Sequence, residues 1–228
     1  MSRATKRQEN IASLEQRKYQ IAEALDFFQT SPKVKFNESI DTAINLGIDP
    51  EKSDQNMRGA TLLPAGSGKP CKVAVFVEGE MATAAKEAGA DAVGMEDLAE
   101  EMKSGESDYD VVIATPDTMK IVSPLGKVLG PKGTMPNPKT GTVTANVGDA
   151  VREIKKGKTS FRVDKFGIIH TTVGRIEFSP ENLVENAKEV IDTLMRMKPS
   201  TAKGIYMKSI TVASTMSPGI HIDPKVAR

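Results

Sequence analysis

Hydroxyl side chains at positions 209, 211 and 215 raise the first chemical question. In Ser209-Ile-Thr-Val-Ala-Ser-Thr-Met-Ser-Pro-Gly219 they stand at multiples of two, a spacing that puts them on one face of a strand. Hydroxyls and exposed backbone amides bond 2′-hydroxyls and phosphates, the contacts by which folded RNA is read through its shape. An edge strand with polar residues facing water has the same pattern. A second segment, Val34-Lys-Phe-Asn-Glu-Ser39, sets an aromatic beside a lysine and then polar groups at an expected helix start. A third, Leu129 to Thr142, is basic and rich in proline and glycine.

Catalytic alternatives fail on spacing. A phosphate-cradling loop needs glycines at set intervals, then lysine and a hydroxyl residue. Gly66-Ser-Gly-Lys69 has leucine at 63 and proline after Lys69, and Gly157-Lys-Thr159 has Arg152 where the first glycine belongs. No G-x-G-x-x-G follows an expected strand. His170 and His221 are far apart in the sequence and lack a carboxylate cluster of ligand spacing. Cys71, at a strand start beside Lys72, reads as an inert structural thiol. Glu78 and Glu80 read as solvated carboxylates. The expectation is no catalytic residue, no metal and no cofactor.

Composition sets the wider frame. A chain of 228 residues with 39% hydrophobic content can build packed cores. No run approaches the roughly 18 consecutive apolar residues of a membrane span, and MSRATKRQEN at the start has no apolar signal-peptide core. One cysteine allows neither an internal disulfide nor a cysteine-based metal site. These features fit a soluble cytoplasmic protein with no membrane partner. Net charge is only +1, but the charges are sorted along the chain. Glu78–Asp117 carries 12 acids against 2 lysines, whereas Met119–Lys158 carries 8 basic residues against 2 acids. A near-neutral total therefore conceals a polarised molecule.

The elements that must position these groups follow from periodicity. Ile11, Leu14, Ile21, Leu25 and Phe28 predict one amphipathic helix over 8–29, ended by Ser31-Pro32. A second helix is expected over Phe36–Leu46, and a short strand over Arg58–Pro64. After a turn-rich linker, Ala65–Pro70, strands at Lys72–Val77, Ala92–Gly94 and Asp110–Pro116 alternate with helices at Glu80–Ala88, at Glu96–Met102 and from Asp117. This is the pattern of a small parallel α/β domain. A loop over Gly126–Thr142, a helix near Gly148–Lys156 and a second linker at Lys155–Thr159 come next. Ser160–Val163, Ile168–Val173 and Arg175–Phe178 predict antiparallel strands, Pro180–Met197 a helix capped by Ser179, and Ile205–Met216 a last strand. The two linkers bracket a middle segment. The expectation is an α/β protein: an α+β first domain from 1–66 and 159–228, with a Rossmann-like α/β domain, 67–158, inserted.

With these residues in view, the chain resembles the bacterial form of the large-subunit ribosomal protein L-one family. The resemblance is carried by Asn45-Leu-Gly-Ile-Asp-Pro50, Lys52-Ser-Asp-Gln-Asn-Met-Arg-Gly59 and Leu129-Gly-Pro-Lys-Gly-Thr-Met-Pro-Asn-Pro-Lys139. Asp164-Lys-Phe-Gly-Ile-Ile-His170, Lys203-Gly-Ile-Tyr206 and Ser214-Thr-Met-Ser-Pro-Gly219 continue it in family order over essentially the whole chain. It implies a non-enzymatic ribosomal protein that binds large-subunit ribosomal RNA and forms a mobile stalk near the transfer-RNA exit site. It also implies help in releasing deacylated transfer RNA, contact with other ribosomal components and repression of its own messenger RNA. Off the ribosome a monomer is implied.

Carried over by motif, the RNA surface comprises Phe36, Glu38, Ser39, Ser209, Thr211, Thr215, Met216, Ser217 and Pro218, with Lys35, Lys165 and His170 flanking. The basic 126–142 loop takes a secondary part. Ser217 stands where the family usually has glycine, and Thr134 where a large apolar residue is usual. Tryptophan is absent and aromatics make up 4%, so stacking is not expected to dominate the contacts. A stand-alone messenger-RNA repressor is the alternative reading, and a nucleotide-dependent α/β enzyme a remote one.

Overall fold

The computed structural model describes residues 14–15, 17–32, 34–52, 54–104 and 108–224. In chain order the elements are α1 (Ile21–Thr30), β1 (Ser39–Leu46), β2 (Arg58–Leu62), β3 (Val73–Phe76), α2 (Glu80–Glu87), β4 (Ala92–Gly94), α3 (Glu96–Ser104) and β5 (Val111–Ala114). There follow α4 (Met119–Val122), α5 (Gly126–Lys132), α6 (Val147–Lys156), β6 (Lys158–Arg162), β7 (Ile168–Arg175), α7 (Pro180–Arg196), β8 (Met207–Ser214) and β9 (Ile220–Ile222). Short 3-10 turns cover Ser123–Leu125 and Pro138–Thr140. The fold is of the α/β class, and its contacts divide it into two compact units, Met1–Lys69 with Thr159–Arg228, and Pro70–Lys158.

The first unit is built on an antiparallel sheet in the order β7-β1-β8-β9. Side chains alternate across it. Ile40, Ile44 and Leu46 of β1, Ile169 and Val173 of β7, Ile210 and Val212 of β8, and Ile220 and Ile222 of β9 join the core. Helix α7 covers this face with Leu183, Ala187, Val190, Ile191 and Leu194, and α1 adds Ile21, Ala24, Leu25 and Phe28. The Ser179 hydroxyl accepts the Asn182 N–H at 3.3 Å and Pro180 opens the helix, so the start of α7 is fixed by its own sequence. Gly174 lets helix and sheet close up, since a Cβ there would sit 2.8 Å from Leu183 Cδ2. Fully buried Asn186 clasps three backbone groups, accepting from Ala65 N–H (3.0 Å) and donating to the carbonyls of Gly66 (3.0 Å) and Val173 (2.8 Å). Strands β2 and β6 form a separate two-stranded ribbon.

The second unit is a parallel sheet, order β4-β3-β5. Strand β3 is buried on both faces. Val73 and Val75 meet Ala85 of α2 and Val147, Ala150, Val151 and Ile154 of α6. Ala74 and Phe76 meet Leu98 and Met102 of α3, with Val122, Leu125 and Leu129. Asp91 binds this unit together, accepting from Val73 N–H at 2.8 Å and from Lys155 Nζ at 2.7 Å. The Lys155 bond, then that of Val73, holds its carboxyl below the usual range.

Several elements differ from expectation. Phe36–Leu46 is not a helix: residues from 39 on form β1, because Ile40, Thr42, Ile44 and Leu46 bury every second side chain and both edges find partners. Helix α1 begins only at Ile21, since Tyr19 N–H donates to His221 O (2.9 Å) and Tyr19 O accepts from Asp223 N–H (3.1 Å) in extended pairing. The part of that helix expected before residue 14 lies outside the described residues. The first half of the 126–142 loop is helix α5, because Val122, Leu125 and Leu129 share a buried face despite the surrounding glycines and proline. The second linker shrinks to Gly157: Lys155 and Lys156 finish α6, Gly157 turns the chain at φ 112°, and β6 starts at Lys158. Arg175 ends β7, and Phe178 N–H turns back onto Arg175 O at 3.0 Å instead of extending a third strand. Strand β8 stops at Ser214, leaving Thr215 and Met216 in a turn. Strand β9 was not expected.

Candidate nucleic-acid interface

The face of the first unit's sheet opposite α1 and α7 carries polar residues. Cross-strand register sets His170, Ala43, Thr211 and His221 in one row over β7, β1, β8 and β9. Thr211 Oγ1 lies 3.1 Å from His221 Nδ1. Asp41 sits between Thr172 and Ala213 in register and accepts from the hydroxyls of Thr172 at 2.6 Å and Ser39 at 3.2 Å. Ser209 pairs with Asn45, whose other neighbour is Ile168. Three strand spacings separate the two histidines, about 14 Å, too far for one shared metal ion. Among the described residues no His, Cys, Asp and Glu group has metal-holding geometry.

One end of this face joins segments 176 residues apart. Ser39 N–H donates to Thr215 Oγ1 (3.1 Å), the two hydroxyls lie 3.1 Å apart, and Thr215 N–H returns to Ser39 O (3.1 Å). Beneath them Glu38 is 2% exposed, and its Oε1 accepts from Met216 N–H at 2.9 Å and Ser214 Oγ at 3.3 Å. A carboxylate so enclosed is in no position to meet a ligand directly. It acts by fixing the 214–216 turn. That turn presents Met216, 58% exposed, and Phe36 stands 52% exposed beside Lys35. Arg175 Nη1 donates to Asn37 O at 2.9 Å and steadies the Phe36 segment.

Ser217, where the resemblance implies glycine, bears no backbone strain, as no described non-glycine residue has positive φ. Its N–H donates to Ser214 O at 3.0 Å. Pro218 lines a groove of about 640 Å³ with Arg17, Tyr19 and His221.

The opposite end is a tight turn between β6 and β7. Asp164 Oδ1 accepts from Ile168 N–H (2.8 Å) and Phe166 N–H (2.9 Å), and its Oδ2 lies 3.6 Å from His170 Nε2. The Ile168 bond, followed by those from Phe166 and His170, holds the Asp164 carboxyl below its ordinary value. Lys165 is exposed on this turn.

The structure thus brings Phe36, Glu38, Ser39, Thr215 and Met216 together at one end, with Ser217 in the same turn. Ser209, Thr211 and His170 lie along the face, and Lys165 at the far end. Sequence reasoning missed Asp41, Thr172, Arg175 and His221. Thr172 could have been found from its spacing of two from His170, whereas Asp41 was hidden by the helical reading of its strand.

A water-exposed sheet face whose hydroxyls are held in place by hydrogen bonds is suited to binding a polar partner. Comparison with known proteins places the chain among ribosomal proteins. The Ribosomal protein L1p/L10e family matches residues 27–218. Large ribosomal subunit protein uL1 of Psychrobacter cryohalolentis is 56% identical over 226 residues, covering 98% of this chain and 97% of that protein. The protein of the same name from Francisella philomiragia subsp. philomiragia is 52% identical over 225 residues, with coverage of 98% and 97%. The chain belongs to the Ribosomal protein L1p/L10e family, whose members are ribosomal proteins and not enzymes.

Proposed function

We propose that this chain is a structural constituent of the large subunit of the cytoplasmic ribosome and binds large-subunit ribosomal RNA through the open face of the β7-β1-β8-β9 sheet. The observation that carries this reading is the Ser39–Thr215 pair locked over buried Glu38. It holds hydroxyls and the backbone turn that carries exposed Met216 in one fixed arrangement before any ligand arrives, while Arg175 anchors the backbone next to exposed Phe36. Ser39, Ser209, Thr211 and Thr215 offer hydroxyls to 2′-OH groups and phosphates, with Lys35, Lys165 and His170 at the margins. The Asp41 carboxylate, held by the hydroxyls of Thr172 and Ser39, suits the 2′-OH donors of RNA rather than its phosphates.

Such a surface reads shape more than sequence. Its hydrogen bonds gain value when RNA excludes water, since exposed ones net only about 0.5–1.5 kcal/mol. Formation of a mobile stalk near the exit site, help in releasing deacylated transfer RNA, and repression of its own messenger RNA belong to the same proposal. They rest on the family resemblance, with one surface serving both ribosomal and messenger RNA. The test is crosslinking of the purified protein to large-subunit ribosomal RNA, with both partners mapped. Crosslinks should fall at 36–39, 209–218 and 165–170. Equal binding to unrelated transcripts at matched salt refutes the reading.

A further inference from the structure

We infer that Phe166 is a stacking platform for one unpaired base of the bound RNA, at the end of the open face opposite Phe36 and Met216. The inference rests on the ribosomal-RNA reading and adds a contact of a different kind. Phe166 is 82% exposed, more than any other large apolar side chain among the described residues. It sits on a clamped turn. Asp164 Oδ1 accepts from both Phe166 N–H and Ile168 N–H, Asp164 N–H donates to Ile168 O at 2.9 Å, and Leu46 N–H donates to Gly167 O at 2.9 Å. Gly167, at φ 79°, lies flush on the end of β1, where a Cβ would stand 3.3 Å from Leu46 O and 3.4 Å from Ile48 O. The sheet therefore holds an aromatic ring in water on a fixed backbone.

The surroundings favour a nucleic acid over an apolar protein partner. Lys165 precedes the ring and is exposed, and His170 and Ser209 lie on the adjoining polar face. Across the end of β1, Ile205 is 78% exposed, its carbonyl against Gly47, and exposed Lys203 and Lys208 lie near it in sequence. A ring beside Lys165 and next to the polar face suits a base stacked on the aromatic, with its phosphate on the cation. Ser39 and Leu46 lie about 24 Å apart along β1. Phe36 and Phe166 then mark the two ends of the bound RNA segment.

The chain has no tryptophan, so Phe166→Trp places a lone indole at the site. Adding large-subunit ribosomal RNA should quench its emission while affinity stays within about twofold of wild type. Phe166→Ala should leave the thermal midpoint unchanged and weaken binding about 5- to 150-fold, the worth of one base–aromatic stack. Phe166→Tyr should restore binding. Unquenched emission in a saturated complex overturns the proposal, as does unchanged affinity of Phe166→Ala under conditions where Thr215→Val binds weakly. Full RNA affinity of Phe166→Ala together with failure to enter subunits assigns the ring to a protein and also overturns it. Loss of ribosomal-RNA preference by the wild-type protein refutes instead the functional reading beneath it.

Discussion

Replacing Thr215 with valine keeps the shape of the side chain and removes one oxygen. That oxygen accepts from Ser39 N–H at 3.1 Å, contacts Ser39 Oγ at 3.1 Å and donates to Ser39 O at 3.4 Å. In the free protein the site is exposed and water can serve Ser39 N–H, so the stability loss should be about 0.5–1.5 kcal/mol. With RNA seated, the same N–H is cut off from water and stranded, at a cost of about 1–3 kcal/mol. Affinity should therefore fall about 5- to 150-fold. A peripheral cation such as Lys35 or Lys165 makes only a solvent-exposed charge contact, worth about 0.2–1 kcal/mol, or less than about sixfold. The assay is equilibrium binding of large-subunit ribosomal RNA to Thr215→Val, Lys35→Ala and Lys165→Ala across a salt series. The lysine variants should flatten the salt dependence, and the valine variant should shift the curve without changing its slope. Comparable losses at matched salt would falsify the idea of a water-excluding polar surface.

Glu38→Ala removes the acceptor of Met216 N–H and Ser214 Oγ and should cost about 2–3 kcal/mol of stability, read by denaturant titration. RNA affinity should fall with it, though Glu38 is nearly inaccessible. Asn186→Leu strands the backbone groups of Ala65, Gly66 and Val173 and should destabilise the protein by about 3 kcal/mol or more; a thermal midpoint within error of wild type would contradict this. Asp164 has a depressed pKa in the folded protein, so the stability it supplies is present above its unfolded value near 3.8 and is lost as pH falls through the lower folded one. The gap in melting temperature between wild type and Asp164→Asn should accordingly be open at neutral pH and close in acid.

The α/β pattern was legible because residues 72–116 carry strong local signals: the buried β-branched runs of β3 and β5, alanine-rich α2, and turn residues between the elements. Strand β1 was not, because Ile40 and Ile44 stand four apart, a spacing that satisfies a helix and a strand alike. What decides between them is pairing with β7 and β8, whose residues lie far along the chain. Helix α5 was lost to the opposite error, in which glycine and proline counts outweighed the helical spacing of Val122, Leu125 and Leu129. For the candidate site, alternation revealed Ser209 and Thr211, since strand parity is local. The burial of Glu38 could not be foreseen, because nothing near it in sequence shows that its donors come from 214–216. Phe166 also escaped notice: a phenylalanine in a turn gives no sign whether it will fold inward or stand in water.

The central place of β1 has a consequence for synthesis. Its two neighbours in the sheet begin at Ile168 and Met207, whereas β1 itself ends at Leu46. A growing chain therefore carries this strand with both edges unsatisfied while about 120 further residues are added, roughly 6–24 s at ordinary elongation rates. Residues 70–158 emerge whole in that interval and can fold on their own contacts, so they mature first. For that time the open edges of β1 are available to wrong partners.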